Sequence, residues 1–380
     1  MTPLDSETKS IIADTLLRFV DENYDAAKRR ERLKPPIDYR LNWSTLAELG
    51  VLAMPFDEEL GGLGGCATDT ADAVRVLAKG LVLEPVVECA VVAGSILAAG
   101  ADADASAAAV AELIGGEKIT VKVGGRPGLL SGRPGDAGAL VAEKSDTGWL
   151  LHGTARAVMY AAEADEWLVI AHQSESDAAI IFRLPCAESG AEVQQFRLMD
   201  GQSAADICFH NVAVAADKLW LIDDAAEAAN ERANLKAVSA YCADAVGCMA
   251  QLLEITGTYL KTRVQFGVTI GSFQALQHRF ADMHMVYLEA RAMSRSLAEC
   301  LDGGALSEQR WRCFSALTMV TAAGTKVGQE SIQMHGGMGV TDELIVSHYN
   351  SRLLTLARQI RNAVSHDITP PPLMTARRWI

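Results

Sequence analysis

The sequence predicts an α+β protein, mostly helical, in which one block of strands lies between two blocks of helices. Three observations carry this. First, 49% of the 380 residues are hydrophobic, the mean hydropathy is +0.12, and Ala-rich runs such as 104–113 are suited to helices packed on helices. Second, apolar residues recur at helical spacing near the N-terminus and again from about residue 232 onward. Third, the stretch from Lys118 to Leu219 switches to short β-favouring segments broken by Gly, Asp, Ser and Pro. A chain of this length buries a large core, as two or three domains or one large one.

Taken in order, Ile11, Ile12, Leu16, Leu17, Phe19, Val20 and Tyr24 set a helical period over 6–34, which Pro35-Pro36 ends. A second helix runs from Trp43 to Leu49 and stops at Gly50. Gly61, Gly62, Gly64 and Gly65 then make a turn, because clustered glycines are costly inside a helix. Helices resume from Asp69 to Gly116. The segments 119–123, 148–153, 167–172, 178–183 and 207–214 read as strands, and 232–264, 273–302, 306–333 and 343–362 as long helices.

A formal net charge of −14 repels phosphate backbones, which excludes nucleic acid as a partner class. The eight cysteines show neither C-x-x-C spacing nor zinc-finger pairing with histidine, so they read as buried thiols in a reducing compartment. His278, His284, His335 and His348 form no H-x-x-x-H pair with a carboxylate, and no metal is expected. The N-terminus lacks a charged head followed by an apolar stretch, and no apolar run approaches the length of a membrane span. The expected compartment is the cytoplasm.

Four segments narrow the reading: 47-AELGVLAMPFDEELGGLGG-65, 209-FHNVAVAADKLW-220, 262-TRVQFGVTIGSFQALQHRFADM-283 and 333-QMHGGMGVTDE-343. In this order and spacing they resemble the acyl-CoA dehydrogenase family, including its R-x-x-F-G turn between two long helices and its Q-x-x-G-G-x-G turn. The resemblance implies an N-terminal helical domain (1–117), a central β-domain (118–221) and a C-terminal four-helix bundle (222–380). It also implies FAD lying across a subunit interface, an acyl-CoA substrate, and an electron-transferring flavoprotein as electron acceptor. On that resemblance Arg263 pairs with the flavin pyrophosphate, a task suited to a permanently charged planar fork. Phe266 and Gln274 match positions that contact the nucleotide, Gln265 beside Phe266 is counted with the cofactor-binding residues, and Gln333, Gly336 and Gly337 match the turn where backbone approaches the ligand closely.

The sequence departs from the family at its chemistry. The glutamate expected near the C-terminus falls at Ile360, and the family's second location for the base falls near Ala237. The loop that usually contacts the flavin ring reads 124-GGRPGLLSGRPGDAG-138, and the aromatic segment that packs on it reads 157-AVMYAAEAD-165, leaving Tyr160 or Met159 as replacements. Asp244, about two helical turns after Ala237 on roughly the same face, is the remaining candidate base, with a structural aspartate as the other reading. Glu231 and Glu254 read as exposed helix residues, and Arg279 with Asp282 as an i,i+3 pair. The retained half is the adenine side. The runs 258-TYLKTRVQFGVTIGSFQALQHRFADMH-284 and 335-HGGMGVTDELIVSHY-349 most resemble the small subunits of heteromeric dehydrogenases for dicarboxyl-CoA and steroid side chains. That implies a second acyl-CoA dehydrogenase-like chain and a four-chain assembly. A redox-silent structural subunit, or a member with lyase-type chemistry, are the alternatives.

Overall fold

Asp5 starts the first helix by accepting hydrogen bonds from the backbone N–H groups of Glu7 and Thr8, both at 2.9 Å. The computed structural model describes residues 3–125 and 140–364. Helix α1 (Ser6–Asn23) ends earlier than its periodicity suggests, because Asp25 caps a separate helix α2 (Ala26–Arg32) in the same way. After α3 (Trp43–Glu48) comes the glycine turn. There Gly62 packs so closely on Phe56 that an added Cβ would stand 2.1 Å from the Phe56 carbonyl oxygen. Helix α4 (Ala67–Leu77), a π-helical segment Val87–Ala93 continuing into α5 (Gly94–Leu97), and α6 (Ala103–Ile114) complete the N-terminal helical part.

The middle of the chain is an eight-stranded sheet of β1 (Thr120–Gly124), β2 (Leu140–Ser145), β3 (Gly148–Met159), β4 (Glu166–Gln173), β5 (Ala179–Pro185), β6 (Glu192–Arg197), β7 (Ser203–Ala215) and β8 (Leu219–Ile222). Seven run in the order β6-β7-β3-β2-β4-β5-β8, and β1 pairs parallel with β4. Strand β4 is buried along nearly its whole length, whereas β6 is exposed throughout and forms an edge. Strands β2, β6 and β8 escaped the sequence reading. For β6 the reason is plain: EVQQFR has no apolar alternation because neither face enters a core.

The remainder is a bundle of α7 (Asp223–Thr262), α8 (Gln274–Leu301), α9 (Leu306–His335) and α10 (Ile345–Ala363). Helix α7 is its axis, packing against α4, α8, α9 and α10. By length and composition alone α7 is apolar enough to cross a membrane, but 78% of its apolar window is buried inside the protein, as a core helix requires. Between α7 and α8 the strands β9 (Val264–Gln265) and β10 (Val268–Thr269) make a two-residue hairpin. Its loop residues Phe266 and Gly267 have φ of 55° and 81°, the left-handed pair that a tight hairpin with the native twist demands.

Candidate functional site

Two regions stand out: the open end of the bundle, and a buried polar cluster where the three parts of the chain meet. At the bundle end, Tyr259 near the close of α7 stacks on His335, the last residue of α9, with ring centroids 4.3 Å apart. This contact sets the Arg263 hairpin beside the glycine turn that follows α9. The turn needs glycine, since Gly336 adopts φ 60° and ψ −142°. Arg263, Gln265, Phe266, Gln274, Gln333, Gly336 and Gly337 are all exposed, Phe266 at 92%. Among the described residues Arg263 makes no side-chain hydrogen bond or ion pair, and nothing lies within 4 Å of a Cβ added at Gly336 or Gly337. A guanidinium without a partner among the described residues, an open glycine backbone and an exposed aromatic ring that touches only the edge-on Phe273, 6.3 Å away, fit a nucleotide with a charged pyrophosphate.

Helices α8 and α9 are tied below this end by Arg279, whose Nε and Nη2 donate to Glu330 Oε2 at 2.7 and 2.6 Å. The expected Arg279–Asp282 pair therefore does not form. An i,i+3 partner on the same exposed face is outcompeted by a carboxylate across the helix interface. Glu231 is likewise half-buried and receives two hydrogen bonds from Arg310, at 2.5 and 2.9 Å. Glu254 is exposed as expected.

The second region holds Asp244. It is 8% exposed, and its Oδ2 accepts from Arg352 Nη2 at 2.5 Å and Nε at 3.1 Å, while the Cys248 thiol lies 3.4 Å from Oδ1. The other arm of Arg352, Nη1, donates to Asp200 Oδ2 at 3.0 Å, to Gln359 Oε1 at 3.3 Å and to Gln202 Oε1. Burial opposes the charge on Arg352, but Asp244 and Asp200 more than offset it and hold the guanidinium ionised. Glu88, from the π-helical segment, faces the same cavity of about 30 Å³ as Asp244, Arg352 and Gln202. It accepts from the Tyr241 hydroxyl at 3.3 Å, and burial raises its carboxyl above the ordinary value. The cavity has room for about one or two waters.

Tyr160 is fully buried and packs edge-on against Tyr39, with centroids 5.7 Å apart, and its hydroxyl has no partner among the described residues. Ile360 and Ala237, where family glutamates would stand, are buried apolar side chains. Most of the segment 124–138, which the resemblance matches to the family's flavin-contacting loop, lies outside the described residues; Gly124 and Gly125 have φ of 83° and 99°. Sequence reasoning missed Glu88, Arg352 and Gln359. The signal for Glu88 was present, a lone acid inside 85-PVVECAVVAGSIL-97, and Arg352 with Gln359 is an i,i+7 polar pair on an otherwise apolar helix face.

Family models for the acyl-CoA dehydrogenase N-terminal and C-terminal domains match residues 6–115 and 210–358, more than half the chain between them. The chain belongs to the acyl-CoA dehydrogenase family. It is similar to acyl-CoA dehydrogenase IpdE2 of Mycolicibacterium smegmatis, 25% identical over 91% of this chain and 92% of that protein. Among solved structures, the ChsE4–ChsE5 complex of Mycobacterium tuberculosis superposes with a TM-score of 0.81 at 23% identity, covering 96% of each chain. A steroid acyl-CoA dehydrogenase, the Tcur3481–Tcur3483 variant, gives 0.81 at 21%, covering 94% of each. At these identities the structures establish the fold: N-terminal helices, a middle sheet and a C-terminal helical bundle. Among the described residues no group of three or more His, Cys, Asp or Glu is placed to hold a metal ion.

Proposed function

We propose that this chain is a subunit of a hetero-oligomeric, FAD-dependent acyl-CoA dehydrogenase and lends its bundle end to flavin held jointly with a second acyl-CoA dehydrogenase-like chain. The observation that carries this is the contrast between the two regions. The adenine-side residues Arg263, Phe266, Gln333 and Gly336 stand exposed, and among the described residues the side chains of Arg263 and Gln333 have no hydrogen-bond or ionic partner. The candidate base Asp244 is instead taken up by Arg352. A general base must present a free lone pair to the substrate α-proton. The only oxygen of Asp244 not bonded to Arg352 faces the Cys248 thiol.

Asp244 is thus an anchor for Arg352, and the base for α-proton abstraction belongs to the partner chain. Flavin, when bound, supplies the hydride acceptor. Arg263 would neutralise the pyrophosphate, Phe266 and Gln274 would flank the nucleotide with Gln265 beside them, and Gly336 and Gly337 would admit it at backbone distance. Relatedness to a two-protein complex, ChsE4–ChsE5, and to a steroid-acting pair supports a heterotetramer and a bulky acyl-CoA. An electron-transferring flavoprotein is the proposed acceptor, and eight free thiols suit the cytoplasm as the proposed compartment.

The test is Arg263→Ala in the two-chain assembly. Loss of a charge-assisted contact of about 1.5–3 kcal/mol should weaken flavin binding about tenfold to a hundredfold, and Arg263→Lys should fall between, keeping charge without the fork. Flavin affinity unchanged in Arg263→Ala would show that this end of the bundle does not bind the cofactor.

A further inference from the structure

A second cavity, of about 100 Å³, lies nearer the start of α7 than Asp244, between that helix, the π-helical segment, the start of α4 and the end of α8. Its wall combines Lys236 and Ser239, one turn apart on α7, with Cys66, Val91, Leu301 and Asp302. Ser239 is 3% exposed, and its hydroxyl has no hydrogen-bond partner among the described residues. Among the described residues Lys236 also makes no hydrogen bond or ion pair. Burial depresses its ammonium pKa, with Arg232 adding to the effect and Asp57 and Asp302 opposing it.

The other polar groups on the wall are satisfied. The Asp302 carboxylate accepts from Ala67 N at 2.6 Å and from Thr68 N and Oγ1 at 3.3 and 2.8 Å. The Cys66 thiol donates to Asp69 at 3.2 Å, and burial pushes its pKa up to about 11, so it stays neutral. The Thr70 hydroxyl donates to the Cys66 carbonyl at 3.1 Å. One half-buried cation and one buried, orphaned hydroxyl therefore line a cavity of mixed polar and apolar wall, an arrangement that an anion would complete.

We propose that this cavity binds a short aliphatic monocarboxylate, its carboxylate on Lys236 and Ser239 and its chain against Val91, Ala240 and Leu301. A dianion is disfavoured, because it would meet a single cation and the nearby charge of Asp302. A neutral amide would gain no ion pair. An apolar cavity of about 150 Å³ accommodates benzene, so this smaller one suits a carboxylate of about four or five heavy atoms. This inference stands apart from the proposed shared flavin, since none of these residues belongs to the bundle end or to the Arg352 cluster.

The probe is propionate carrying ¹³C in its carboxyl group, titrated into the full chain and followed by NMR, with propionamide as the neutral isostere. Saturable propionate binding is expected, with propionamide weaker by about tenfold or more, as loss of a buried ion pair implies. Lys236→Met should abolish propionate binding by removing the charge, and Ala240→Leu should abolish it by filling the cavity with Lys236 intact. Circular dichroism confirms that each variant is folded. Propionamide binding as tightly as propionate, propionate binding retained in either folded variant, or no saturable propionate binding to the unaltered chain would each overturn the proposal.

Discussion

Asp244 and Glu88 are two carboxylates withdrawn from water beside one small cavity, and they differ because only Asp244 has a guanidinium bonded to it. Removing one member of a buried ion pair exposes the cost of the other. Asp244→Asn should therefore lower unfolding stability by about 3 kcal/mol, read as a reduced urea midpoint. A catalytic base serving only the reaction would leave that midpoint in place. Glu88 gives the opposite sign. Its folded pKa lies above the ordinary 4.5, so from pH 4.5 upward the folded state retains a proton that the unfolded chain has lost. Across that window stability falls as pH rises. Glu88→Gln keeps an acceptor for the Tyr241 hydroxyl and removes the penalty. The variant should melt higher than the unaltered protein at pH 7, with the gain vanishing as pH falls below about 4.5. A melting difference independent of pH would contradict this. None of these contacts was legible in the sequence. It shows an acid in an apolar helix, but the partner 108 residues away depends on how α7 and α10 cross.

At the scale of elements, the long helices were legible because their burial follows a 3.6-residue period, and α8 and α9 begin and end within two residues of expectation. The hairpin between α7 and α8 was seen only as a turn, because strands of two residues carry no periodicity. Close approaches of backbone to backbone were also hidden. Gly247, within α7, lies so near α4 that a Cβ there would stand 2.5 Å from the Arg75 carbonyl oxygen and 2.6 Å from Ala78 Cβ. Alanine favours helix over glycine by about 1 kcal/mol. Even so, Gly247→Ala should destabilise the protein by about 1–3 kcal/mol, since neither backbone can yield without moving a helix. Thermal denaturation would show it, and a raised melting temperature would mean that α4 and α7 adjust freely.

Across the whole molecule, large apolar side chains are exposed at several places, and the two turns at the bundle end carry five of them, Val264, Phe266, Val268, Met338 and Val340, between 44% and 92% exposed. Under the proposed assembly these side chains would be covered by the second chain. The three-part order and the turns that carry the family resemblance were legible because they are local patterns. The charge state of the interior was not, because it depends on contacts far apart in sequence. The most direct measurement of the central claim is flavin content, for the chain purified alone and then together with a second acyl-CoA dehydrogenase-like chain that carries the glutamate base. The expected result is a colourless protein alone and one flavin shared per pair of unlike chains in the assembly. A full flavin on every chain of the protein purified alone, bleached on addition of an acyl-CoA, would contradict it.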